Sequence, residues 1–218
     1  MRFRYCRPFT AEGALPVAGT LSDGLILLGG GPWGSAGERD LPTLAAEVEL
    51  ARGVLKRGWP LVGIGLGAQI VAIAAGGSSQ AAALEFHVTT ATRTTDNALN
   101  GFLPPEYPLA IYGRDRALPP ANARILSTDE KATPALWQVG ERTFGFAGHP
   151  GLKVAMVEDL IMEFEESPPD IEPGLAALRQ RQRALEDSLV GIMTGLVQAT
   201  GWMEPAKGLA SIPVRRDG

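Results

Sequence analysis

A glycine stands where an attacking side chain would be expected. The segment Leu61-Val62-Gly63-Ile64-Gly65-Leu66-Gly67-Ala68-Gln69-Ile70 reads as a buried strand, a tight glycine-flanked turn and the start of a helix. That arrangement is the elbow which displays a nucleophile in many hydrolytic sites. At its apex Gly65 offers only hydrogen, so a covalent mechanism has no attacking atom there. Two other segments could contribute chemistry. Gly29-Gly30-Gly31-Pro32 is a stretch of bare backbone able to turn amide donors into a cleft. Phe144-Gly145-Phe146-Ala147-Gly148-His149-Pro150-Gly151 carries a histidine with no carboxylate close by in sequence. His87, in a threonine-rich run, reads as a surface or pocket-rim residue, and Cys6 as a small apolar side chain. Two histidines and one cysteine far apart show no ligand spacing, so neither a metal nor a cofactor is expected.

The elements that would position these residues follow from apolar periodicity. Asp23–Leu28 is a strand running into the glycine loop. Leu41–Lys56 is a helix with Leu44, Val48, Ala51 and Leu55 at spacings of three and four. Gly58-Trp59-Pro60 ends it and leads into the strand Leu61–Ile64. Ala68–Ala75 is apolar nearly all round, hence a buried helix, stopped by Gly76-Gly77. Strand, helix, strand, helix predicts an α/β, flavodoxin-like, open and mainly parallel sheet with helices on both faces. Glu85–Thr95 alternates and is rich in threonine, Pro108–Tyr112 is a short run, and Ala135–Val139 and Arg142–Ala147 flank a Gly140-Glu141 turn. These predict an antiparallel hairpin insertion whose final strand returns to the sheet. Lys153–Glu166 is a helix, Ser167–Asp170 a linker, and Pro173–Gln198 a long helical appendage. Its stripe comprises Leu175, Leu178, Leu185, Leu189, Ile192, Met193, Leu196 and Val197. Residues 1–166 form one expected domain, and 167–218 a linker, amphipathic helix and tail.

Composition excludes several classes of function. The 218 residues are 45% apolar, enough for a real core. A formal charge of −4 with interspersed signs disfavours a nucleic-acid partner. No run nears the roughly 20 apolar residues that cross a bilayer, and the charged start Met1–Cys6 does not read as a secretory signal. With one cysteine, a cytoplasmic setting is expected.

From Asp23 to Gly151 the order of motifs resembles the class I, or triad, glutamine amidotransferase family. The matching pieces are Gly29–Pro32, Gly63–Gln69, Gly76-Gly77, Glu85 and Phe144–Gly151. In that family a cysteine at the elbow attacks the glutamine amide, a histidine accepts its proton, and a glutamate two residues later orients the imidazole. The resemblance places these roles on Gly65, His149 and Gly151, so the nucleophile and the glutamate are both missing. It also implies a pocket made by the amides of the Gly29–Gly31 loop and Leu66, with Gly30, Gly31, Leu66, Gln69 and His149 lining it. Tyr112-Gly113-Arg114-Asp115 stands where members often carry a histidine before glycine and aspartate. The family places a strand, a helix and a second strand before the segment matching Asp23, and only Met1–Ser22 is available here. Arg2–Cys6 is therefore expected to fill an inner strand position, with an open sheet margin beside it. The implied role is a catalytically inactive subunit of a larger enzyme complex, joined to other protein subunits through the C-terminal helix and the open margin. Its pocket would still take a small amine, amide or carboxylate. The alternative is an active amidotransferase or hydrolase with a relocated nucleophile, such as one using His149 with Asp115.

Overall fold

Neighbouring strand residues send their side chains into opposite cores, which is why the sheet must be covered on both faces. Leu61 joins one cluster and Val62 another; Trp137 and Leu136 divide in the same way. The computed structural model describes residues 3–8, 14–21, 23–37 and 39–203. Its strands are β1 (Leu25–Leu27), β2 (Leu61–Ile64), β3 (Ser78–Gln80), β4 (Glu85–Arg93), β5 (Glu106–Gly113), β6 (Arg116–Leu118), β7 (Arg124–Asp129), β8 (Pro134–Val139) and β9 (Thr143–Phe146). Its helices are α1 (Leu44–Lys56), α2 (Leu66–Ala74), α3 (Val154–Glu163) and α4 (Ile171–Thr200).

Seven strands form the main sheet in the order β1-β2-β9-β8-β7-β4-β5, and β3 pairs with β6 in a small second ladder. The expected α/β class and the hairpin insertion are both present. The parallel part is confined to β1, β2 and β9, while β8, β7, β4 and β5 continue the sheet antiparallel. After β9 the chain bends so that the His149 N–H donates to the Ala110 carbonyl at 2.8 Å. This ties the centre of the sheet back to its far strand.

Helices α1 and α2 pack with β1, β2 and Trp137 in one core. On the other face α4 places Ile192 and Leu196 against Val62, Leu109 and Phe144, and Leu175, Leu178 and Leu185 against Phe86 and Ala110. Most of the expected α4 stripe is thus buried on its own strands, whereas Met193 and Val190 face outward. Gly195 permits the close approach, because a Cβ there would lie 2.5 Å from the Leu99 carbonyl oxygen.

The expectation for the N-terminus is corrected. Phe3–Cys6 form no strand, Phe3 and Tyr5 are about 70% exposed, and β1 is itself the sheet edge; Arg2 lies outside the described residues. The physical reason lies in the edge itself. Three residues of β1 leave few open backbone groups, and a short margin needs no further strand to be tolerated. The Trp202 indole N–H, just past α4, donates to the Asp23 carbonyl at 2.9 Å and laps over the start of that margin.

Candidate ligand cleft at the elbow

The three glycines around the elbow have different physical reasons. A Cβ on Gly63 would sit 2.3 Å from the Gly67 carbonyl oxygen, and one on Gly67 would sit 2.0 Å from the Leu27 carbonyl oxygen. Both contacts are with backbone, so these two positions let α2 start against β1 and β2 and accept nothing larger. Gly65 has φ +60° and ψ −118°, a conformation disfavoured for any residue with a side chain. Yet a Cβ there would meet only the Gly29 Cα, at 3.7 Å. The elbow thus has a tight, positive-φ turn at Gly65 with open space where a side chain would project.

Two adjoining cavities flank Gly65. The larger, about 630 Å³ including its open mouth, runs past Glu85, His87, Arg116 and Lys131. The smaller, about 310 Å³, is walled by Gly30, Gly31, Trp33, Leu66, Tyr112 and Arg114. Gly65, Gln69 and Asp115 line both. The N–H groups of Gly30, Gly31 and Leu66 find no protein acceptor among the described residues; Leu66 is the first residue of α2, where no intrahelical acceptor exists. These donors are what the smaller cavity offers a ligand oxygen. No group of three or more His, Cys, Asp or Glu is placed to hold a metal among the described residues.

Of the residues expected at the site, the structure brings Gly30, Gly31, Gly65, Leu66 and Gln69 together; His149, Gly151 and Cys6 line neither cavity. Gln69 has no free amide to offer. Its Oε1 accepts from the Ser35 hydroxyl at 2.5 Å, and its Nε2 donates to the Arg114 and Asp115 carbonyls at 2.7 and 3.3 Å. The side chain pins the cleft walls to each other.

Sequence reasoning missed the part played by Asp115, although the residue stood in a motif position. Its Oδ2 accepts from the N–H groups of Ser35 and Ala36 at 2.8 and 2.9 Å, and its Oδ1 from that of Ala82 at 3.0 Å. This carboxylate holds two loops at once and is not aimed at His149.

The His149 ring accepts a hydrogen bond through Nδ1. The Gly151 N–H donates to His149 Nδ1 at 3.1 Å, so the neutral ring must carry its proton on Nε2. A base oriented by a carboxylate has the reverse tautomer, with the proton on Nδ1 and Nε2 free to accept. A Cβ on Gly151 would lie 3.1 Å from Leu189 Cδ2 of α4, so a side chain there requires Leu189 to give by a few tenths of an ångström. Nitrogen NMR at about pH 7.5, above the ordinary imidazole pKa of about 6.5, is expected to show Nε2 protonated. A ring protonated on Nδ1 would contradict the geometry.

Burial pushes the His149 pKa below its ordinary value. The unfolded chain therefore binds a proton near the ordinary imidazole value of about 6.5 that the folded chain refuses. The contribution is complete above that pH and declines as pH falls toward the lowered folded value. His149→Asn should flatten the fall in melting temperature on acidification through this window. Parallel curves for the two proteins would show the imidazole contributes no such linkage.

The parallel β1-β2-β9 core, the elbow at Gly65 and the antiparallel extension define the fold of the class I glutamine amidotransferases, a flavodoxin-like α/β architecture. Residues 23–104 match the Peptidase C26 family, a stretch that includes the glycine loop and the elbow and stops before His149. Among solved structures, the chain is similar to the protein SMU.1228c, with TM-score 0.70 and 21% identity over 86% of this chain and 84% of that one. It is also similar to a glutamine amidotransferase from Thermotoga maritima, with TM-score 0.61 and 21% identity over 75% and 76% of the two chains. A glutamine amidotransferase from Methylobacillus flagellatus gives TM-score 0.62 at 19% identity over 75% and 72%. No curated protein matches the sequence.

Proposed function

We propose that this chain is a divergent class I glutamine amidotransferase-like protein without glutaminase activity, acting as a cytoplasmic, non-catalytic subunit of an enzyme complex. Its elbow cleft is kept for a small amine, amide or carboxylate. The observation that carries the reading is Gly65, held at φ +60° beside open space with no side chain. The inverted hydrogen bond at His149 and the full engagement of Asp115 argue against a relocated hydrolytic pair. Free N–H groups on Gly30, Gly31 and Leu66 support ligand binding without turnover. Partner subunits are expected at the outer face of α4, where Val190 and Met193 are exposed, and at the β1 margin. The net charge of −4 supports a protein partner over nucleic acid, and no helix among the described residues is long and apolar enough to cross a membrane.

Purified protein given glutamine should release no ammonia above the solvent background. Turnover abolished by His149→Ala would overturn the reading. Isothermal titration with glutamine, ammonium and methylated amines tests the cleft, and co-purification from the source tests the complex.

A further inference from the structure

Glu166, in the connection between α3 and α4, is gripped by two arginines at the cleft wall. Its Oε1 accepts from Arg114 Nη2 and its Oε2 from Arg39 Nη1. Arg114 lines the smaller cavity, its side chain is 14% exposed, and its Nε donates to the Pro32 carbonyl at 3.1 Å, which fixes the guanidinium beside the glycine loop. The Arg39 guanidinium lies 5.0 Å from the centre of the Trp33 ring, another wall of that cavity. Two residues earlier, the Phe164 ring is packed on Gly31 so closely that a Cβ there would fall 2.3 Å from Cε2.

The chain thus lays an aromatic ring and a carboxylate of its own over the glycine-loop arm of the cleft. Glu166 is about one-third exposed, and its segment leaves α3 at Phe164 and reaches α4 through Pro168-Pro169 with no helix or strand of its own. The Arg39 ion pair, with both side chains about one-third exposed, contributes modestly in water and is screened by salt. The wall beneath is built for an anion. Arg114 is fixed, the donors of Gly30 and Gly31 are free, and the Tyr112 hydroxyl in the same wall is buried without a hydrogen-bond partner. Asp115 does not compete for the guanidinium, because three backbone N–H groups occupy its carboxylate.

We propose that Arg114, with Arg39, forms a carboxylate-binding subsite of the elbow cleft that Glu166 fills intramolecularly, and that a small carboxylic acid enters by displacing the Phe164–Glu166 segment. This deepens the ligand-binding part of the function proposed above and rests on it. Arg114 and Arg39 each donate a charge-assisted hydrogen bond to one oxygen of Glu166, so a ligand carboxylate placed between them can take over both bonds. Phe164 lifting from Gly31 would at the same time open the glycine-loop donors.

The test is isothermal titration of the full chain with glutarate and, in parallel, with its neutral diamide, glutaramide. Glu166→Gln is expected to bind glutarate at least tenfold more tightly than the parent, with glutaramide affinity unchanged. Phe164→Ala should shift glutarate in the same direction, and Arg114→Gln added to Glu166→Gln should remove the gain. Glutarate affinity that ignores Glu166→Gln, or glutarate binding undetectable in that variant, overturns the proposal. Failure of the cleft itself is read separately from iodoacetamide labelling of Gly65→Cys in a Cys6→Ser background. A labelled thiol with indifferent glutarate leaves the cleft and removes the subsite; an unlabelled thiol with no glutarate binding removes both.

Discussion

Gly65→Cys is expected to give a folded protein whose new thiol is modified by a glutamine-mimicking chloroketone while glutamine hydrolysis stays undetectable. The site has room, since the first added atom would meet only the Gly29 Cα at 3.7 Å. The cost is conformational. A side chain at φ +60° is held in a sparsely populated region, a penalty of about 1–3 kcal/mol that glycine avoids. The parent should therefore be the more stable protein. Hydrolysis needs more than the thiol, because His149 Nδ1 is occupied by the Gly151 N–H and no carboxylate turns the ring. Gly151→Glu added to Gly65→Cys would push against Leu189. The triple variant with Leu189→Ala is accordingly expected to be the first to release ammonia from glutamine. Ammonia release by Gly65→Cys alone would show that His149 already works as a base, and an unreactive thiol would show that the cleft is shut.

The second large effect is expected at Asp115, where Asp115→Ala should destabilise the fold by about 3–5 kcal/mol. The loss would be read from the denaturation midpoint at constant m-value. Ser35, Ala36 and Ala82 would each lose the acceptor of a backbone N–H, and a buried donor left unmatched costs about 1–3 kcal/mol. Loop segments partly rehydrate, so the three losses do not add in full. Gly34 sharpens the point, because a Cβ there would fall 2.2 Å from Asp115 Oδ2; the loop is shaped around that carboxylate. A change under about 1 kcal/mol would mean water replaces the carboxylate freely and that Asp115 does not hold the cleft together.

Local pattern revealed the elements far better than their partners. The 3.6-residue recurrence of Leu44, Val48 and Ala51 and the alternation through Glu85–Arg93 are properties of short stretches, and the structure forms α1 and β4 there. The expected helix over Lys153–Glu166 instead ends at Glu163. Phe164 is extended and the chain leaves the helix there, with its ring on Gly31 and the Glu166 carboxylate on two arginines, contacts made with residues more than 50 positions away. No spacing within the segment could have signalled them. Met193, on the expected stripe, lies 39% exposed.

What the chain's letters decide unaided is that the elbow apex and the second position after the histidine carry no side chain. Side-chain chemistry is a property of the residue, and Gly65 and Gly151 carry none in any fold. The tertiary structure decides what remains around them. It shows that Gly63 and Gly67 are required by backbone contacts at 2.3 and 2.0 Å while Gly65 and Gly30 face open space. It also shows that Gln69 and Asp115 are bound into the walls and that Glu166 stands on the arginines. These are distances between residues far apart along the chain, and only the folded packing sets them.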